Sequence, residues 1–176
     1  MTKRYSLLLL MIVIVAASCK KERKDMLARV WQEVSTQNQQ FDEVMRSQQQ
    51  FIDTVGSHTT PAENLAAYGS SNIDSFRRSM QINMDSFKKM QQQSVAKTQF
   101  DFRENGIVYI HSDIGVDSAS WKLEEDGTTL VLDEQKLKGT GTSLQMEIIH
   151  LSDTSLKLKF NDNNSSSIAN FVPAKK

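Results

Sequence analysis

A single cysteine, Cys19, stands in these 176 residues. No disulfide within the chain therefore staples the fold, and stability has to come from buried apolar area. Proline is nearly absent, with two residues in the whole chain, so long stretches are free to run as unbroken helix or strand. The three histidines, His58, His111 and His150, lie far apart. None is three or four residues from another, the spacing that sets two imidazoles on one helix face for a metal. Serines are many, yet there is no Gly-x-Ser-x-Gly elbow and no assignable His and Asp partner. Gly139 and Gly141 flank Thr140 without the lysine and following helix that a phosphate loop needs. Asp162, Asn163 and Asn164 lack the acidic spacing and terminal glutamate of a calcium loop and read as a polar turn. These absences predict no catalytic residue, no metal and no cofactor. Charge is balanced, 21 basic against 21 acidic side chains, so nucleic acid is not an expected partner.

Nor does any apolar run reach the roughly 20 residues that a membrane-spanning helix requires. The longest, Leu7 to Val15, follows Lys3 and Arg4 and precedes the small residues Ala16, Ala17 and Ser18. Basic start, short apolar run and small residues ahead of a cysteine make an export signal. This arrangement resembles a bacterial lipoprotein signal peptide, with Ala16 where leucine is commonest. The resemblance implies cleavage before Cys19 and acylation of its sulfur, so the lipid bilayer is the first expected partner. Without Lys3 and Arg4 the mature chain has 19 basic and 21 acidic groups, a net charge of −2. Lys20 and Lys21 directly follow the cysteine, where acidic residues would have suggested surface display. The expected place is the bacterial cell envelope, on the outer membrane facing the periplasm.

Beyond that leader the chain changes period once. From Gln37 to Lys97 apolar residues recur every three or four positions: Phe41, Val44, Met45, Phe51, Ile52 and Val55 form one helical stripe, ended by Gly56. Thr60, Pro61 and Glu63 spell a capping box with proline at the first helical position, opening a short helix through Leu65 and Tyr68. Ser71 and Asp74 read as a third start, and Ile73, Phe76, Met80, Met84, Phe87 and Met90 carry the stripe on to about Lys97. The reading is a long helical hairpin, with Met45, Met80, Met84 and Met90 in its core. From Gln99 to Val172 the period is two. Phe100 and Phe102 alternate before Asn105-Gly106, a hairpin signal that Asp126-Gly127 repeats between Trp121/Leu123 and Leu130/Leu132. Leu144, Met146 and Ile148, then Leu156, Leu158 and Phe160, then Ile168 to Val172 complete the set. With a strand near Val30 to Val34 the count is eight, joined up and down by short turns. The fold class is α+β.

Several of these residues carry a likeness to a family. Ser118 to Leu132, with Trp121, Leu123, Asp126, Gly127, Leu130 and Leu132, followed by Leu151, Ser152, Asp153, Thr154, Leu156 and Leu158, resembles the lipocalin-like domains common in lipoproteins of Bacteroidetes. Phe102, Glu104, Asn105 and Gly106 match the preceding strand and turn, and Trp31 stands as the tryptophan of the first strand. Arg29 and Val30 occupy the place of the glycine usual before that tryptophan, and about 60 residues of helix come before the next strand. The resemblance covers about half the mature chain and implies a small antiparallel barrel or meander without a shared chemistry. The expected organisation is a signal peptide at 1–18, a lipid-anchored tether at 19–27, and a lipocalin-like domain at 28–176 with a helical insertion at 37–97. Trp31, Trp121, Leu123, Leu132, Met146 and Phe160 are the candidates for lining the lumen, as packed core or around a small apolar ligand. Trp121, Leu123, Leu130, Leu132, Leu144, Met146, Leu156 and Phe160 together are bulky enough to fill it. The function expected is a non-enzymatic, membrane-anchored lipoprotein that binds a small apolar ligand or a protein partner. The alternative is a structural or assembly component of the envelope acting through its helical hairpin.

Overall fold

The computed structural model describes residues 23–162 and 165–175. The leader, Cys19 and the Asn163–Asn164 turn lie outside the described residues. Two compact units divide the chain: Gln37–Ser94, and the segments on either side of it.

The flanking segments form one sheet of eight antiparallel strands, closed in sequence order into a barrel. They are β1 (Val30–Asn38), β2 (Gln99–Phe102), β3 (Ile107–Ser112), β4 (Gly115–Leu123), β5 (Thr129–Asp133), β6 (Ser143–Leu151), β7 (Leu156–Asp162) and β8 (Ser165–Pro173). Alternation decides which side chains go inside, because residues facing each other across an antiparallel pair share a side of the sheet. Register therefore carries one parity around the wall: Trp31 faces Phe100, Phe100 faces Ile110, Trp121 faces Leu132, Leu130 faces Met146 and Ile148 faces Leu158. The opposite parity holds Lys122, Gln145, Lys157 and Lys159, of which Lys159 pairs with Glu147 at 3.5 Å. The backbone closes from strand eight to strand one, the Ala174 N–H donating to the Val30 carbonyl at 3.0 Å.

Both dipeptide turns form as their chemistry requires. Asn105 Oδ1 accepts from the Ile107 N–H at 3.1 Å, and Asp126 Oδ1 accepts from the Thr128 N–H at 2.8 Å. The glycines that follow, Gly106 and Gly127, sit at φ +82° and +69°, a region open to glycine at little steric cost. An up-and-down chain puts alternate connections on opposite ends. One rim therefore has the turns 103–106, 124–128 and 152–155 together with both termini of the barrel. The other has the turn 112–115, the short helix α5 (Glu134–Lys138) and the points where β1 leaves for the helices and β2 returns.

Residues 23–27, read from sequence as the end of a tether, are a helix, α1. Leu27 is fully buried and belongs to the barrel core. Two adjacent apolar residues, Met26 and Leu27, after three charges carry no periodic signal, so the burial of Leu27 follows from what the open end of the barrel leaves uncovered. Helix α5 is likewise absent from the sequence reading. Five residues are too few to show a period, although Asp133 caps it by accepting from the Lys136 N–H and Gly139 ends it at φ +76°.

In the unit Gln37–Ser94 the helices are α2 (Gln39–Thr54), α3 (Pro61–Tyr68) and the greater part of α4 (Ile73–Lys97). Each start has a side-chain cap: Asn38 for α2, the full Thr60/Glu63 box for α3, and Asn72, not Ser71, accepting from the Ser75 N–H for α4. Near one end of α2, Phe41 meets Phe87 of α4 at 5.9 Å between ring centroids. Near the other, Phe51 meets Tyr68 edge-on and Tyr68 stacks on Phe76. Ile52, Val55 and Met84 are the buried apolar residues of this unit. The methionine stripe is broken, since Met90 is 61% exposed. Six residues beyond Met84, it is turned by about 600°, a third of a circle off the buried line.

Leu27→Ala is expected to destabilise the barrel by about 2–5 kcal/mol, as for a buried leucine elsewhere, measured by denaturant unfolding. A tether residue would cost less than about 0.5 kcal/mol.

Candidate functional site

Three features of this molecule are candidates for a site: the barrel interior, a carboxylate near its far rim, and the surface of the helices.

In the interior, fifteen side chains make one contiguous buried cluster. Five of the six lumen candidates belong to it: Trp31, Trp121, Leu123, Leu132 and Met146. Phe160 is half-buried and packs against it with Phe100, Ile110 and Leu151. All six are thus on the inward face, brought together from β1, β4, β5, β6 and β7. Of the larger filling set, Leu144 departs, being 39% exposed at the start of β6, where the wall ends.

The aromatic groups order the half of the lumen nearest α1. Phe102 packs edge-on against Trp121 at 5.4 Å, and Phe100 bridges Phe102 and Phe171 at 5.8 and 5.1 Å. Buried indole N–H groups need acceptors. Trp31 Nε1–H donates to the Leu27 carbonyl at 3.1 Å, and Trp121 Nε1–H to the Arg103 carbonyl at 3.0 Å. Both acceptors belong to the rim that α1 covers. The Lys24 ammonium lies 5.6 Å from the Trp121 ring and the Arg29 guanidinium 5.6 Å from that of Trp31.

Towards the other rim the interior becomes polar. Glu33, two residues after Trp31 and so of the same parity, is 8% exposed. Its backbone N–H donates to the Thr98 carbonyl at 2.9 Å. Burial pushes the carboxyl above its ordinary range, while hydrogen bonds from the Thr36 and Thr98 hydroxyls pull it partly back. Ser167, of the inward parity on β8, is also buried. Glu33 was legible in principle, since alternation from Trp31 points it inward, but acidic residues are so seldom buried that composition argues the other way. Among the described residues no group of three or more His, Cys, Asp or Glu side chains is placed to hold a metal ion. His58 and His150 are exposed and His111 half-buried.

Exposed apolar groups stand on the helices, Val44 at 60%, Phe51 at 41%, Leu65 at 56% and Ile82 at 58%, besides Met90, and on the barrel, where Ile114 is 96% and Val116 63% exposed. Polar residues run along the same surfaces. Gln49 donates to Gln81 Oε1 at 3.1 Å, tying α2 to α4, and Arg77 ties α4 to the carbonyl of Val55 at 2.8 Å. Among the described residues no helix is long and apolar enough to cross a membrane.

Comparison with protein-family models, with curated proteins and with solved structures gives no match to this chain.

Because the folded state holds a proton on Glu33 more tightly than the unfolded chain does, stability falls as pH rises from the ordinary glutamate range through the raised folded value. Glu33→Gln removes that dependence. Denaturation midpoints taken from pH 4 to 8 are expected to move in the variant's favour relative to the unsubstituted protein as pH increases, and then to level off.

Proposed function

We propose that this is a lipid-anchored, non-enzymatic lipoprotein of the bacterial envelope, held by acyl chains on Cys19, whose lipocalin-like barrel carries a helical hairpin that docks a protein partner. The observation that carries the docking half is the exposure of Val44, Phe51, Leu65, Ile82 and Met90, 41 to 61% exposed, within one small helical unit. The reading takes these side chains to form one surface that another molecule covers. Flexible methionine and a wealth of glutamine suit a surface that adapts to its partner. The barrel interior argues in the same direction, because an eight-stranded wall encloses about enough space for its own side chains, and here they form one cluster. The anchor half rests on the leader, whose basic start, nine-residue apolar run and small residues stop at the lone cysteine.

A second reading, an apolar ligand at the polar mouth of the barrel, is favoured by Ile110 and Phe160, which stay half-buried beside the packed core. Such a ligand would share its site with Glu33.

Cells grown with labelled palmitate are expected to label the unsubstituted protein and not Cys19→Ala. Val44→Ser with Ile82→Ser is expected to leave stability within about 0.5 kcal/mol per site and to weaken partner capture about thirtyfold, roughly 1 kcal/mol per lost apolar contact. Capture is read by photo-crosslinking in cells from a probe at Met90. Crosslinks undiminished by the double substitution would remove the helical reading.

A further inference from the structure

We infer that the rim carrying α1 and the turns 103–106, 124–128 and 152–155 is held at the lipid headgroup surface, and that the opposite rim, where the chain departs for the helices, is directed away from the bilayer. The inference rests on the lipid-anchor reading of Cys19 and deepens it by naming the face of the molecule that meets the membrane.

The argument is one of chain length. Cys19 precedes Arg23 by four residues, which reach at most about 14 Å when fully extended. No slack follows, because the segment from Arg23 onward is docked. Leu27 is buried in the barrel core and its carbonyl accepts from Trp31 Nε1. Lys24 lies over the Trp121 ring, and the aliphatic part of Arg23 is next to Gly127, whose added Cβ would stand 3.5 Å from Arg23 Cδ. Arg29 donates to Asp153 on the adjoining turn, at 3.1 Å to its carbonyl and 3.3 Å to Oδ1. The anchor therefore leaves from this rim and from nowhere else on the barrel. Nine-residue β4, at about 3.3 Å per residue and a tilt of about 40°, separates the two rims by roughly 20 Å. That separation exceeds the reach of the tether, so the two rims cannot exchange places without lifting the anchor. Electrostatic attraction is not what selects the face. Asp25, Glu104, Glu124, Glu125, Asp126 and Asp153 outnumber Arg23, Lys24, Arg29 and Arg103 at α1 and the turns, so a bilayer rich in anionic lipid gains little from this rim.

The test uses the full mature lipoprotein, in vesicles of phosphatidylethanolamine and phosphatidylglycerol that contain a short-range headgroup quencher. With Cys19 acylated, an added cysteine is the one free thiol, so a fluorophore can be set at Glu125→Cys on the near rim or at Asp113→Cys on the far one. Both positions are exposed turn residues. Quenching is expected to be about threefold or more stronger at 125 than at 113, given a rim separation of about 20 Å. A third form inserts about 15 glycine and serine residues between Glu22 and Arg23, a linker with a root-mean-square reach of about 20 Å. It is expected to abolish the difference while leaving the protein on the vesicles. Protein that fails to float with vesicles, or floats equally well as Cys19→Ala, removes the lipid-anchor reading itself. Protein that floats through Cys19 but is quenched equally at both positions, or more at 113, overturns the orientation alone. A gradient that survives the long linker likewise overturns the tether as its cause.

Discussion

Enclosure of alternate side chains within a sheet that closes on itself is the constraint from which the rest of this structure follows. With no disulfide available, the barrel is held by one apolar cluster to which all eight strands contribute and by the ladder bonds of a wall without edges. Closure settles the inward parity for every strand at once. A strand slipped by one residue would turn Trp121 or Leu158 into solvent and Lys122 or Lys159 into the core, so the register of each pair is enforced by its neighbours. The same closure creates two open ends, and they are treated differently. One is covered by α1, with both buried indoles hydrogen-bonded to its carbonyls and turns. The other is polar inside, with Glu33 held by Thr36 and Thr98.

The two units differ in their packing. Inside the barrel the large side chains are almost wholly removed from water, which leaves the interior little freedom to change. In the helical unit three apolar residues are buried, while comparably large neighbours remain exposed. Of the three helices, α3 with its eight residues is too short to be stable alone in water. Their caps, the aromatic contacts at both ends of α2 and the Arg77 bond to the Val55 carbonyl supply local order, and the apolar surface left over is what the proposed partner would cover.

Much of the barrel was legible because its signals are local. Asn105-Gly106 and Asp126-Gly127 state their turns in two residues, and Leu156, Leu158 and Phe160 state their strand by alternation. The Thr60, Pro61, Glu63 start needed no tertiary context, because a capping box is completed within one helical turn. The candidates Trp121, Leu123, Leu132 and Met146 were identifiable by the same alternation and Trp31 through the family resemblance, and the structure gathers all five in one cluster. Other features had no local signature. Met90 shared the apolar character of Met84 but lay on another side of the helix, and Leu144 kept the right parity but stood where the wall runs out.

Period and turn chemistry are properties of neighbouring residues, so strand count, strand order and the change from helix to sheet could be read along the chain. Which residues close the ends of a barrel is a property of residues far apart in sequence. Leu27 is buried because strands ending near Arg103, Glu124 and Ser152 leave an apolar opening beside it. Glu33 is buried because Thr98, returning some 65 residues later, supplies the bonds that make its desolvation tolerable. Neither fact exists until the wall has closed, since the free energy of burial depends on the groups that surround a side chain and not on those that precede it.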